Sequence, residues 1–319
     1  MKPLLNVVAA VVLGIACYIG IFAFVIEQPL SIGIFDRVFS YKRAYARQID
    51  EPKTIVAAGS SGFYSVRCET IAEETGMPCV NLSIALALGR ETMMQQVEQV
   101  AKPGDVVLLP WEFRLYYLNA EDMRARISYP YIVRYEKGFL KGLGPKRALD
   151  ALFYFDPKYL MGALIETKEY VGGKRHGFDE EGRMTRQGDY QGHTEKVAVK
   201  YRDQVEKGGS SASETGKIAE MKNPPAGLEE FISWANSRDI SVYAVLPPSV
   251  DSIPVSDDAV EHLHQWFSSA KSGGFIDISG NLQYPYTCFY DTREHLREEC
   301  QIEHSHEIGK ALAARLSAR

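Results

Sequence analysis

The stretch IVAAGSSGFYSV occupies residues 55–66 of a 319-residue chain. A short β-branched and apolar run ends in Gly59-Ser60-Ser61, and a pattern with helical spacing follows. A buried strand that gives way to small residues and then to a helix is the opening of a parallel α/β unit. In such sheets ligands sit beyond the carboxyl ends of the strands, where Ser61 stands. The serine is either a nucleophile or part of a tight turn, and the rest of the chain has to decide.

Strand and helix patterns alternate on both sides of a long interruption. Thr54–Gly59, CVNLSIA (79–85), DVVLLP (105–110), ISVYAVL (240–246) and Phe275–Ile278 read as strands. The third is apolar without a break, as a strand covered on both faces should be. Phe63–Thr75, Glu91–Ala101, Leu228–Ser237, Asp257–Lys271 and a segment near Glu303–Leu316 read as helices. This alternation predicts an α/β fold with a parallel sheet flanked by helices over residues 54–319. Residues 113–225 lack the alternation and read as an insertion without its own core, closing on the low-complexity run EKGGSSASETGK. The insertion carries Tyr116, Tyr117, Tyr129, Tyr131, Tyr135, Tyr154, Tyr159, Tyr170, Tyr190 and Tyr201, which either pack or stack on a sugar.

Residues 1–28 are expected to be a transmembrane signal anchor, and residues 29–53 a stalk helix. From Leu4 to Ile26 the only polar side chains besides Cys17 and Tyr18 is that of Asn6. At about 1.5 Å per residue this run crosses a bilayer core of roughly 30 Å. It exceeds the apolar region of a cleaved signal peptide, and its apolar residues cover every face of the helix, unlike those of a soluble amphipathic one. GIAC before Tyr18 has the look of a lipoprotein cleavage site, but Gly14 stands where a branched apolar residue is needed. The charges leave the orientation open. Arg37, Lys42, Arg43 and Arg47 after the anchor favour a cytoplasmic body, a rule that weakens for long domains. Cys68 and Cys79, and Cys288 and Cys300, form two local pairs without metal-ligand spacing. They read as two short disulfide loops or as four free thiols; disulfides would place the body on the extracytoplasmic side of the inner membrane.

Overall composition is ordinary: 45% hydrophobic and 24% charged, with net charge -5 and no basic stripe to bind nucleic acid. No dinucleotide fingerprint, P-loop or metal cluster is present, so no cofactor is expected and catalysis would be metal-free. A serine nucleophile needs a base, and the base an orienting group. His176 and His193 fall in the insertion, His262 and His264 on a charged helix, and His304 and His306 near the last helix. His295 lies in CFYDTREHL (288–296), after the last strand, with Asp291 four residues before it. In a loop, that spacing lets the carboxylate reach one imidazole nitrogen and fix the tautomer. Glu294 and Glu112 are alternative partners.

A serine after the first strand, with Asp and His sharing one loop near the C-terminus, resembles the SGNH/GDSL hydrolase superfamily. GSS in place of Gly-Asp-Ser, the anchor and FYDTREHL are similar to its membrane-anchored branch, which includes the D-alanyl-lipoteichoic acid biosynthesis protein and accessory proteins of alginate-type O-acetylation. The likeness covers about residues 54–112 and 226–317. It implies a three-layer SGNH-like domain with Ser61 as nucleophile, His295 as base and Asp291 as its partner, one residue further away than is usual. The oxyanion donors it implies are the backbone N–H groups of Ser61 and Gly89, while Asn81 is able instead to brace the loop. Trp111 and Glu112 stand where an asparagine donor is usual. Under this resemblance Cys288–Cys300 ties the catalytic loop and Cys68–Cys79 clamps the helix behind Ser61. The implied activity is serine-dependent O-acyl transfer or ester hydrolysis on a cell-surface or exported polysaccharide or glycolipid, beside a membrane-bound O-acyltransferase. The alternative is a non-catalytic scaffold subunit of such a complex.

Overall fold

The structure, a computed structural model, describes residues 2–27, 30–118, 128–142, 144–153, 161, 164–165, 167–169, 171–172, 183–208 and 212–318. His176, Tyr154, Tyr159 and Tyr170 lie outside the described residues. The chain divides into two compact units, one of residues 1–37 and 124–178 and the other of residues 38–123 and 179–319. The insertion expected over 113–225 is therefore divided: its middle groups with the N-terminal segment, and its ends build into the sheet-bearing unit.

In the first unit, helix α1 (Lys2–Glu27) contains the window Pro3–Ile21, with a mean hydropathy of 2.4 and none of its surface buried. It is long and apolar enough to cross a membrane. Among the described residues, this unit also carries the short helices α7 (Ser128–Tyr135), α8 (Lys137–Gly142) and α9 (Gly144–Phe153), and further helical positions between 161 and 171. Tyr129, Ile132 and Ala151 form a small buried cluster among them, with Val133 and Phe139 against it.

The second unit is built on a five-stranded parallel sheet in the order β2-β1-β3-β4-β6. The strands are β1 (Thr54–Val56), β2 (Cys79–Asn81), β3 (Val106–Leu109), β4 (Ser241–Ala244) and β6 (Gly274–Phe275). Alternate side chains enter two different cores. Ile55, Val107, Leu109, Val242 and Ala244 pack into one, with residues of α5 (Gly89–Glu98), α11 (Leu228–Asn236) and α12 (Asp257–Phe267). Val56, Val106, Leu108, Tyr243 and Val245 pack into the other, with residues of α4 (Cys68–Thr75) and α13 (Glu298–Ser317). Burial on both faces explains why these strands are apolar at consecutive positions. Helix α2 (Leu30–Gln48) precedes β1, and α6 (Phe113–Tyr117) follows β3. A separate two-stranded parallel pair, β5 (Ser249–Val250) with β7 (Gln283–Tyr284), had no signal in the sequence. At the amino end of the sheet, Lys53 Nζ lies 2.7 Å from Asp105 Oδ2, both side chains fully buried. The same carboxylate accepts the Lys53 and Lys102 N–H groups, so the charge is both paired and hydrogen-bonded.

Several boundaries differ from the sequence expectation for identifiable reasons. The helix expected over Phe63–Thr75 is two, α3 (Ser60–Ser65) and α4, because Val66 and Arg67 are extended. The Cys68 N–H donates to Asp189 Oδ1, 121 positions away in sequence, and this cap restarts the helix. The second strand stops at Asn81, whose Nδ2 donates to the carbonyls of Gly62 and Val66 while its Oδ1 accepts the Ser83 N–H. The last helix begins at Glu298 rather than near Glu303. Helix α10 (Ala212–Ala219) occupies the end of the low-complexity run. Both local cysteine pairs are disulfides, Cys68–Cys79 and Cys288–Cys300, leaving Cys17 as the free cysteine. Two intact bridges fit an oxidising compartment.

Helix α3 is held so close to β2 that Gly62 has no room for a side chain. A Cβ there would lie 2.4 Å from Ser83 Oγ and 2.8 Å from Ala58 Cβ. Gly62→Ala is expected to destabilise the full chain in detergent by about 1–3 kcal/mol, as overpacking does. Gly216 in α10 has nothing within 4 Å of its would-be Cβ. Gly216→Ala should stabilise by about 0.5–1 kcal/mol through helix propensity alone. Denaturant unfolding of the two variants should therefore move in opposite directions, and a shared direction contradicts the packing described.

Candidate active site

In the strand order β2-β1-β3-β4-β6 the direction of winding reverses between β1 and β3, the position where doubly wound sheets open a crevice beyond their carboxyl ends. The segment after β1 carries Gly59, Ser60 and Ser61, and the segment after β3 carries Glu112. Both oxygens of the Glu112 carboxylate are used across this crevice. Oε2 accepts the Gly59 N–H at 2.9 Å and Oε1 the Ser61 N–H at 2.8 Å. Position 59 must be glycine for this approach, since a Cβ would lie 2.3 Å from Glu112 Oε1 and 2.7 Å from Leu86 N. Burial pushes the Glu112 carboxyl above its ordinary pKa, and the backbone amides, that of Ser61 first, pull it part of the way back.

Ser60 is part-exposed at the first position of α3, whereas Ser61 is buried and its Oγ has no hydrogen-bond partner among the described residues. A buried hydroxyl without a partner is unusual in a folded protein and marks a place where another group is wanted. Asn81 fixes the far end of α3. The amide of Gly89, the second expected oxyanion donor, is bonded to the Leu86 carbonyl at a 3-10 turn, with φ 76° at Gly89. Neither expected backbone donor is therefore free in this state: Gly89 closes its own turn, and Ser61 holds a carboxylate.

Asp291 and His295 meet directly, with Asp291 Oδ1 2.7 Å from His295 Nδ1. The Tyr290 N–H donates to the His295 carbonyl at 2.8 Å, closing the loop tightly enough for a four-residue separation to work. Burial raises the Asp291 carboxyl, but the hydrogen bond and charge of His295 outweigh it, so the net shift is downward. The loop is fixed to the serine-bearing helix. Ser65, one helical turn beyond Ser61, donates its hydroxyl to the Glu294 carbonyl and accepts the Leu296 N–H. The His295 ring lies flat on Tyr64, with centroids 4.4 Å apart and planes 18° from parallel. The Cys288–Cys300 bridge brackets both residues, and the loop's outer side is pinned by Gln204 Nε2, which donates to the Asp291 carbonyl, and by Arg293 Nε, which donates to the Val205 carbonyl.

Other groups around the site had no signal of their own in the sequence. His193, from the insertion, is buried; its Nε2 donates to the Tyr64 carbonyl, and its ring sits against Tyr64, Tyr190 and Tyr290. Burial lowers its pKa to about 4, so it stays neutral and supports Tyr64 rather than moving protons. Tyr190 and Tyr201, two of the insertion tyrosines, pack into this aromatic wall. Glu112 stood in the sequence as an alternative partner for His295 and as a departure from the usual asparagine, not as a bridge between two amides. A polar pocket of about 240 Å³ adjoins the dyad, lined by residues including Arg114, Gln204, Glu214, Asp291, Arg293 and Glu294. Ser61 and His295 do not line it. Arg114 and Glu214 pair across it at 2.6 Å.

Comparison with protein-family models, with curated proteins and with solved structures returns no match for this chain. The site has to be read from its own geometry. Asp291 holds the His295 ring, Ser61 lies buried on the adjoining helix, and a small polar group has room beside Asp291 and Glu294.

Glu294 completes the electrostatics. Burial, then the nearby Glu112 and Glu214 carboxylates, raise its pKa to about 7 from 4.5, against the pull of His295 and Arg114. Between those two values the folded chain holds a proton that the unfolded chain has lost, so stability falls as pH rises and levels off above 7. Glu294→Gln removes this cost. Unfolding in detergent should show the variant more stable than wild type at pH 8, by up to about 3 kcal/mol, and little changed at pH 4. An equal difference at both pH values would mean that Glu294 is not held protonated.

Proposed function

We propose that this protein is an SGNH-type serine acyltransferase or acylesterase, anchored by α1 in the inner membrane with its sheet domain on the extracytoplasmic side. The observation that carries the proposal is the 2.7 Å Asp291–His295 pair, fastened through Ser65 to the helix that bears Ser61. Ser61 Oγ attacks an acyl carbonyl carbon and passes its proton to His295 Nε2. Asp291 keeps Nδ1 protonated and stabilises the imidazolium. The imidazolium then protonates the leaving group, and a sugar hydroxyl or water, deprotonated by His295, takes the acyl group from the serine ester. The polar pocket beside Asp291 and Glu294 suits a hydroxyl-rich acceptor of a cell-surface or exported polysaccharide or glycolipid. A membrane-bound O-acyltransferase is the partner the anchored arrangement fits. Disulfides on both sides of the site support the extracytoplasmic placement.

A second reading is supported by one specific observation. Glu112 occupies the Ser61 amide that an oxyanion would need, and Ser61 Oγ bonds to no group among the described residues in the same state. A non-catalytic scaffold subunit that keeps the fold would look like this at rest. An enzyme would have to withdraw Glu112 when the acyl donor binds.

The two readings separate with the full chain in detergent, a serine-directed phosphonate and a chromogenic acetyl ester. The enzyme reading predicts labelling that is lost in Ser61→Ala and kept in Ser60→Ala. It also predicts that His295→Ala and Asp291→Asn lower ester turnover on the order of 10²–10⁴-fold without unfolding the protein. Labelling that survives Ser61→Ala would overturn the nucleophile. Full turnover in His295→Ala, or neither labelling nor turnover in wild type, favours the scaffold.

A further inference from the structure

The apolar residues of the first unit point the wrong way for a protein surrounded by water. Its small cluster of Tyr129, Ile132 and Ala151 uses few of them. Leu149 is 54% exposed, Met161 56%, Leu164 45%, Ile165 54% and Val171 81%. All five occupy helical positions. Met161, Leu164, Ile165 and Val171 recur at i, i+3, i+4 and i+10, the spacing of one helical face. In a soluble domain such a face is turned inward. Here all four are exposed, and apolar exposure on this scale marks a surface that something covers.

The same unit shows what covers it. Helix α1 belongs to this unit, packs against α7, and presents the exposed apolar surface of a membrane span. The exposed leucines, isoleucine, methionine and valine thus belong to the same compact unit as a surface already suited to lipid. Lys137, Lys146 and Lys168 are exposed on the same helices, with stems able to lie along an apolar boundary while the ammonium groups reach phosphate. Tyr135, part-exposed on α7, is an aromatic residue with a polar tip of the kind that gathers at headgroup depth. Apolar residues on one face, lysines beside them and an adjacent span are the marks of helices lying in the plane of a membrane interface.

We propose that the described helical residues of the first unit after position 128 are seated in the lipid interface beside α1, with Leu149, Met161, Leu164, Ile165 and Val171 in the acyl-chain boundary and Lys137, Lys146 and Lys168 at the headgroups. The protein then holds the bilayer by a span and an interfacial foot, whatever reaction its sheet domain performs.

Site-directed nitroxide labels test this with the full chain reconstituted in phosphatidylethanolamine–phosphatidylglycerol vesicles. Labels are placed one at a time at Leu164→Cys and Val171→Cys in a Cys17→Ser background. Val12→Cys in α1 gives the membrane reference and Lys207→Cys the aqueous one. Unreduced mass spectrometry verifies that both native bridges are intact in each variant. The expected result is loss of collisions with a soluble nickel chelate and gain of collisions with oxygen at both sites, as at Val12. Nickel collisions as frequent as at Lys207 would overturn the proposal and leave the face to a protein partner absent from the vesicles. Spin–spin broadening that disappears on dilution with unlabelled protein would also overturn it, in favour of a second copy of the chain.

Discussion

One carboxylate joins the two halves of the candidate site. Glu112, at the carboxyl end of β3, accepts the N–H groups of Gly59 and Ser61 at the carboxyl end of β1. These strands flank the point where the sheet reverses its winding, where nothing in the sheet itself would hold the two connections together. The clamp explains why a glycine is required at 59, why α3 starts where it does, and why an acid is tolerated in a fully buried position. It also sets the state of the site, because the amide most suited to a developing oxyanion is already bonded to the Glu112 carboxyl group.

The imidazole side is fixed by different forces. Ser65 binds the loop through both its donor and its acceptor, Tyr64 lies under the His295 ring, and Cys288–Cys300 closes the loop from outside. His193 and the tyrosines from the insertion form the wall behind Tyr64. Helix α3 is thus the shared element: its first residues meet Glu112 and its last residues meet the dyad. Three carboxyl groups, Glu112, Glu214 and Glu294, influence one another here, and Arg114 compensates only part of their charge. Retaining a proton on Glu294 near neutral pH is the physical answer to that crowding.

Much of this was legible where the determinants are local or periodic. The strands showed as apolar runs because both faces of the sheet are covered, and the apolar N-terminal run showed because the Pro3–Ile21 stretch of α1 is unburied. Asp291 and His295 were legible as neighbours because one tight loop joins them. What escaped depends on distant partners. The break between α3 and α4 is set by Asp189, and the end of β2 by contacts of Asn81 with α3. His193 had no local pattern to separate it from other insertion residues. Glu112 looked like a departure from an expected asparagine, and only the folded chain shows it bridging two amides. The division of 113–225 between two units was equally hidden, since the exposed apolar helices in its middle follow a logic different from that of its ends.

The central claim is that Ser61, Glu112 and the Asp291–His295 pair form one site whose resting state is closed by Glu112. A crystal structure of the protein reacted with an acyl-mimicking phosphonate tests it most directly. The account predicts phosphorus bonded to Ser61 Oγ, a phosphonyl oxygen on the Ser61 N–H, His295 Nε2 within hydrogen-bond reach of the adduct, and the Glu112 carboxylate withdrawn. An adduct on another residue, or an unmodified Ser61 with Glu112 still bound to both amides, would contradict it.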